Sequence, residues 1–146
     1  MYLYSTNWCF ITIRVAEGFI YERGTIYYMN GSLKDELSPL VIGQIQEAYS
    51  KEQLVKTTDC VNDMTRDGFY ESDVENVIMN AKTIEKAMPT TSQTASNPNN
   101  THYVIPGEST TGIDVYCKVC SNYHKMTNQF ICWALTSFSR KTEKLN

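Results

Sequence analysis

Two strand-like stretches, Gly112–Cys120 and Gln129–Phe138, flank the polar turn Ser121–Asn128. This predicted hairpin constrains the fold most, because it sets an antiparallel pair into a chain whose first half reads as helix. Two further strands are expected at Thr83–Met88 and His102–Pro106. Between them runs Pro89–Thr101, rich in Ser, Thr and Asn, which we expect to be mobile.

Helical signals come earlier. Ser38-Pro39 offers an N-cap residue followed by proline at the first helical position, and Val41, Ile45, Ala48 and Tyr49 then recur at helical spacing. Thr58–Asp67 predicts a short second helix closed near Gly68. Ser72-Asp73-Val74-Glu75 reads as a capping box opening a third helix, with Val74, Val77 and Ile78 as its apolar face.

Residues 1–30 alternate loosely (Phe10, Ile11, Ile13, Val15) and suit an added strand pair. Glu22-Arg23-Gly24 also admits purine-rich codons of the ribosome-binding type shortly before Met29. We therefore read residues 1–28 as a non-native or accessory extension and 29–146 as a single domain. No basic region precedes the first apolar residues, and Arg14 interrupts the apolar stretch, so neither a signal peptide nor a membrane span is expected. The expected compartment is the cytoplasm.

The net charge of −3 is unevenly spread. Residues 1–85 hold seven Lys/Arg against thirteen acids, net −6, and residues 86–146 hold six against three, net +3. A polyanion would be drawn to the basic part, although Lys141 and Lys144 also fit a solvated tail.

Cys117-Lys118-Val119-Cys120, with His124 and Cys132 beyond, carries zinc-ligand residue types. In a strand, however, residues three apart point to opposite faces, and the overall spacing is not that of a standard zinc set. We expect no metal and no cofactor. Asn99-Asn100-Thr101 matches a glycosylation acceptor, relevant only in a secretory pathway. With no Gly-rich phosphate loop, Gly-x-Ser-x-Gly or His-Glu-x-x-His in the chain, acid/base chemistry on an anionic substrate is the route left to catalysis.

Several short motifs, in order, resemble one family. They are Gln44–Thr58, Gly68-Phe69, Val74–Ile78, Lys86-Ala87-Met88-Pro89-Thr90-Thr91, Val115-Tyr116-Cys117-Lys118-Val119 and Ser137-Phe138. Together they cover roughly residues 38–140 and are similar to the MqsR-type toxins of bacterial toxin–antitoxin systems and, more loosely, to other RelE-like domains. The resemblance implies an α+β, RelE-like fold with helices packed on one side of a small twisted, mainly antiparallel sheet. It implies an mRNA endoribonuclease held inactive by a cognate antitoxin, with the ribosome as a further candidate partner.

By the same resemblance Lys86 and Tyr116 take the family's active-site lysine and tyrosine. Arg140 stands for its terminal cation, one position later than Ser139, which holds the matching place. The family's Trp-Gln-Asp segment is absent, and Thr101-His102-Tyr103-Val104 stands near its position. His102, Tyr103 and Lys118 are the expected substrate contacts. Metal-free RNA cleavage uses the 2′-OH as internal nucleophile, so Lys86 and Arg140 suit the phosphate charge and Tyr116 the 2′-OH or a base. The alternative is a RelE-like binding module that has lost catalysis and acts through a protein partner.

Overall fold

The computed structural model describes residues 2–4, 11–13, 31–89, 97 and 99–142. Three helices and a five-stranded, mostly antiparallel open sheet make an α+β fold. A separate two-stranded ladder pairs β1 (Tyr2–Tyr4) with β2 (Ile11–Ile13), in keeping with the strand pair expected there. Met29, the expected start, lies outside the described residues.

Helix α1 spans Gly31–Ser50 and buries Val41, Ile42, Ile45 and Ala48, one apolar stripe at helical spacing. It begins well before Ser38, so Pro39 sits inside it and not at its first turn. The Ser38 hydroxyl does not cap this helix. It accepts from the Ile84 N–H at 3.2 Å and so ties α1 to the segment leading into the sheet. Glu52 ends α1 in the left-handed region (φ 57°), where the Gln53 N–H meets the Ala48 carbonyl at 2.8 Å.

Strand β3 (Leu54–Lys56) comes directly after and was not expected. It pairs in parallel with Trp133–Leu135, a partner far along the chain. Helix α2 (Thr58–Asp67) matches its expected bounds. Thr57 Oγ1 accepts from the Cys60 N–H at 3.2 Å, and Gly68 (φ 75°) closes the other end in a conformation that costs glycine nothing.

Helix α3 (Glu71–Met79) buries Val74, Val77 and Ile78 as expected, but its cap differs. Tyr70 is the N-cap residue, and Ser72 lies exposed within the first turn. Asp73 at the third position reaches back, its Oδ2 accepting from the Tyr70 N–H at 2.8 Å. Its Oδ1 accepts from both the Thr110 N–H (2.9 Å) and hydroxyl (2.8 Å), so one carboxylate braces the helix start against the β5–β6 turn.

The sheet order is β3-β7-β6-β5-β4, with β4 Lys86–Pro89, β5 Thr101–Glu108, β6 Asp114–Tyr123 and β7 Phe130–Arg140. All pairs but β3–β7 are antiparallel. One face, with Tyr103, Ile105, Val115, Cys117, Val119, Trp133, Leu135 and Phe138, joins the buried residues of the three helices in a single core. Rings bridge its parts: Phe69 meets Phe138 edge-on at 5.1 Å, and Trp133 lies between Tyr103 (5.8 Å) and Phe130 (5.7 Å). Among the described residues no helix is long and apolar enough to cross a membrane.

Of the segment expected to be mobile, residues 90–96 and 98 lie outside the described residues. Its far end is fixed. Asn97 and Asn99 are buried, and their amides both donate to Asn128 Oδ1, at 2.9 and 2.7 Å. Asn100 Oδ1 accepts from the Tyr123 N–H at 2.8 Å. The amide nitrogen of the Asn99 acceptor motif is therefore engaged inside the folded chain.

Candidate functional site

Side chains alternate across a strand, so the residues opposite the core share the other sheet face. The ladder identifies them. Lys86 stands opposite Val104, Val104 opposite Lys118, and Lys118 opposite Ser137, one row across four strands. The next row is Met88, His102, Cys120, Ala134 and Val55, one residue from each strand. On the other side of the lysine row lie Pro106, Tyr116 and Ser139. Of the described helices, α2 reaches the edge of this face.

Four of the six expected site residues are thus neighbours. Lys86 and Lys118 are two strands apart, about 10 Å between backbones. His102 is one pair removed from each lysine along its row, the diagonal relation of about 7–8 Å. The Lys118 ammonium lies 6.0 Å from the centroid of the Tyr116 ring, as two residues apart on one strand allows. Lys86 is exposed, and His102, Tyr116 and Lys118 are half-buried.

The electrostatics of this cluster bear on what His102 can do. Burial, and then the nearby positive charge of Lys118, hold its imidazole below the ordinary histidine range. At neutral pH it is therefore uncharged and able to accept a proton. The lysines beside it suit an anionic group; the lysine and histidine rows themselves hold no carboxylate, while the same face carries Glu108 and Asp114 one row beyond Tyr116.

Tyr103 and Arg140 are not part of this cluster. Tyr103 is 3% exposed in the core against Trp133. Arg140 pairs with Val115 on the core-side register, its guanidinium 5.8 Å from the Phe69 ring. The cause is a β-bulge. Leu135 pairs with Val119 and Ser137 with Lys118, leaving Thr136 as an extra residue on β7 whose hydroxyl donates to the Lys118 carbonyl at 3.2 Å. One extra residue exchanges the two faces for everything beyond it. Ser137 and Ser139 turn to the lysine face, while Phe138 and Arg140 turn to the core side.

Two residues at this site have no signal in the sequence. Asp63 on α2 reaches the edge of β7, its Oδ2 3.5 Å from Ser137 Oγ, and Arg66 pairs with Asp63 at 3.3 Å. They come from another element, so strand spacing does not reveal them. Cys117 and Cys120 are both buried but on opposite faces, paired with Phe138 and Ala134 respectively, so their thiols do not converge. Burial raises the Cys117 thiol far above the usual range, which keeps it protonated.

The architecture defines this chain as an α+β protein with an open, mostly antiparallel sheet that gathers cations, an imidazole and a phenol on one face. No family model, curated protein or solved structure matches it.

Proposed function

We propose that the chain is a RelE-like toxin of the MqsR type, a metal-independent endoribonuclease of the cytoplasm that cleaves mRNA and is restrained by a cognate antitoxin. The observation that carries this reading is the grouping of Lys86, His102, Tyr116 and Lys118 on one sheet face. In the proposed step His102 takes the proton from the 2′-OH, and the 2′-oxygen attacks the adjacent phosphorus. The bond to the 5′-oxygen breaks, leaving a 2′,3′-cyclic phosphate, and solvent protonates the departing oxygen. Lys86 and Lys118 stabilise the charge that grows on the phosphorane. Tyr116 orients the 2′-OH or stacks on a base. The lowered pKa of His102 supports its role as the base.

A second reading is favoured by the position of Arg140. With that cation on the core side of the sheet, the face holds fewer charges for a transition state, which suits a binding module that acts through a protein partner. One experiment separates the two. Purified protein is incubated with a defined single-stranded RNA in excess EDTA, with ribosomes absent and present, and product ends are mapped. Cyclic phosphate ends that disappear in Lys86→Ala and His102→Ala support the endoribonuclease. Intact RNA from folded protein under both conditions rejects it.

A further inference from the structure

The turn between β6 and β7, residues 124–129, is built around one imidazole. His124 Nδ1 accepts from two backbone N–H groups, those of Met126 and Thr127, each at 3.2 Å. A ring nitrogen that accepts carries no hydrogen, so this imidazole is neutral with its proton on Nε2. The backbone of the same residue closes the turn. Its carbonyl accepts from the Asn128 N–H at 2.9 Å, and its own N–H donates to the Gln129 carbonyl at 2.8 Å.

This turn holds a second segment in place. Asn128 stands in the left-handed region (φ 58°), which asparagine tolerates better than most residues. There its Oδ1 accepts from the side-chain amides of Asn97 and Asn99, and Asn97 Nδ2 also reaches the His124 carbonyl at 3.0 Å. The held segment leads directly into β5, where Thr101 pairs with Ser121 and His102 with Cys120. The grip carries a cost, because Asn99 Oδ1 is buried with no hydrogen-bond partner among the described residues. Few titratable groups surround the imidazole. Lys125 follows it in the turn, exposed, and the Tyr123 phenol precedes it, buried with its ring edge-on to Phe130 at 5.6 Å. Met126–Gln129, Asn97 and Asn99–Thr101 bring none, and the first on β5 and β7 are His102 and Cys132.

We propose that His124 is an acid-sensitive latch, whose protonation at Nδ1 opens the turn and releases Asn97 and Asn99 from Asn128. The added hydrogen turns Nδ1 into a donor, which then faces two N–H groups with nothing to accept. Those two bonds fix the backbone that delivers Asn128 in its left-handed conformation. Without them Asn128 relaxes to the ordinary region, and its Oδ1 leaves both asparagines. Release also gives the orphaned Asn99 Oδ1 to water, which lowers the cost of opening. The latch is closed while the imidazole is neutral and is lost as pH falls. It acts on the start of β5 and does not depend on what the lysine face binds.

The test is NMR of the full chain, following the side-chain amides of Asn97 and Asn99 from about pH 8 to about pH 5, the span in which histidines change charge. In the wild type these signals should move to the positions of solvated asparagine, in step with the His124 ring protons. His124→Asn has an Oδ1 that can accept from the same backbone N–H groups but does not titrate, so it should hold the closed positions throughout. His124→Ala offers no acceptor and should show the released positions even at the alkaline end. The other histidine of the chain, His102, is present in both variants, so its own titration is controlled. Unchanged methyl signals of the buried Ile105 and Leu135 show that each variant is folded. Three results overturn the proposal: asparagine signals that stay closed while wild-type His124 titrates, that move in His124→Asn as in the wild type, or that stay closed in His124→Ala.

Discussion

Asp73 offers the sharpest test of how this fold is held together. Its carboxylate is 4% exposed and accepts three hydrogen bonds, from the Tyr70 N–H and from the N–H and hydroxyl of Thr110. A hydrogen bond to a charged group contributes about 1.5–3 kcal/mol. Tyr70 and Thr110 are exposed residues and their bonds to Asp73 are only part-buried, so water replaces some of the lost acceptor and the three do not add in full. Asp73→Ala should therefore cost about 3 kcal/mol, and Asp73→Asn, which keeps one acceptor oxygen, about half of that.

The pH dependence separates this account from a simple packing loss. Burial on its own would raise the Asp73 pKa, but the Tyr70 and Thr110 hydrogen bonds outweigh it and hold the group below its ordinary 3.8. A depressed folded-state pKa gives stability that is fully present above the unfolded value and is lost as pH falls through the folded one. Urea unfolding of wild type and Asp73→Asn near neutrality should show the full difference, and well below pH 3.8 that difference should shrink. A gap that stays constant with pH, or a cost below about 1 kcal/mol for Asp73→Ala, would refute the bracing argument.

Other expectations rest on single contacts. A Cβ on Gly107 would meet Val77 Cγ1 at 2.9 Å, so Gly107→Ala should destabilise by about 1–3 kcal/mol, and adding Val77→Ala should restore part of that in thermal melts. Ser38→Ala leaves the buried Ile84 N–H without its acceptor and should cost about 1–3 kcal/mol in urea unfolding; a change within about 0.5 kcal/mol speaks against the tie. Among the described cysteines Cys132 alone is not fully buried, and burial raises Cys60 to about 11. Mass spectrometry after thiol labelling should find Cys132 modified in the native protein, and Cys60, Cys117 and Cys120 only after unfolding. If His102 is the base, RNA cleavage should hold its rate below pH 6.5, and Lys118→Gln should move the acid limb upward by removing a positive neighbour. An unmoved limb argues for another base.

The parts of this fold written in local chemistry were legible in the sequence. Helix α2 needed only Thr57 at one end and Gly68 at the other, each acting on its own turn. The apolar face of α3 came from periodicity, although Asp73 and not Ser72 supplies the cap, because its carboxylate can serve Tyr70 and Thr110 at once. Lys118 beside Tyr116 needed only the alternation of an unbroken strand. Features that depend on distant partners were not legible. Strand β3 has three residues, too few for a pattern, and exists through its pairing with Trp133–Leu135. Helix α1 runs through Pro39, against the local signal for a start.

The candidate site shows where that boundary falls. Parity along β7 would have set Arg140 on the same face as Ala134, with the lysines. Thr136 cancels it, and nothing in Leu135-Thr136-Ser137 announces a bulge: there is no glycine or proline, and the stabilising contact is to the Lys118 carbonyl of the next strand. The same extra residue brings Ser137 to the lysine face, within 3.5 Å of Asp63, which in turn holds Arg66. The α2 group that reaches the edge of this face is thus the Asp63 carboxylate, which holds the Arg66 guanidinium behind it. Charge at a sheet site is therefore counted safely only after the register is known, since one unpaired residue moves an arginine to the other side.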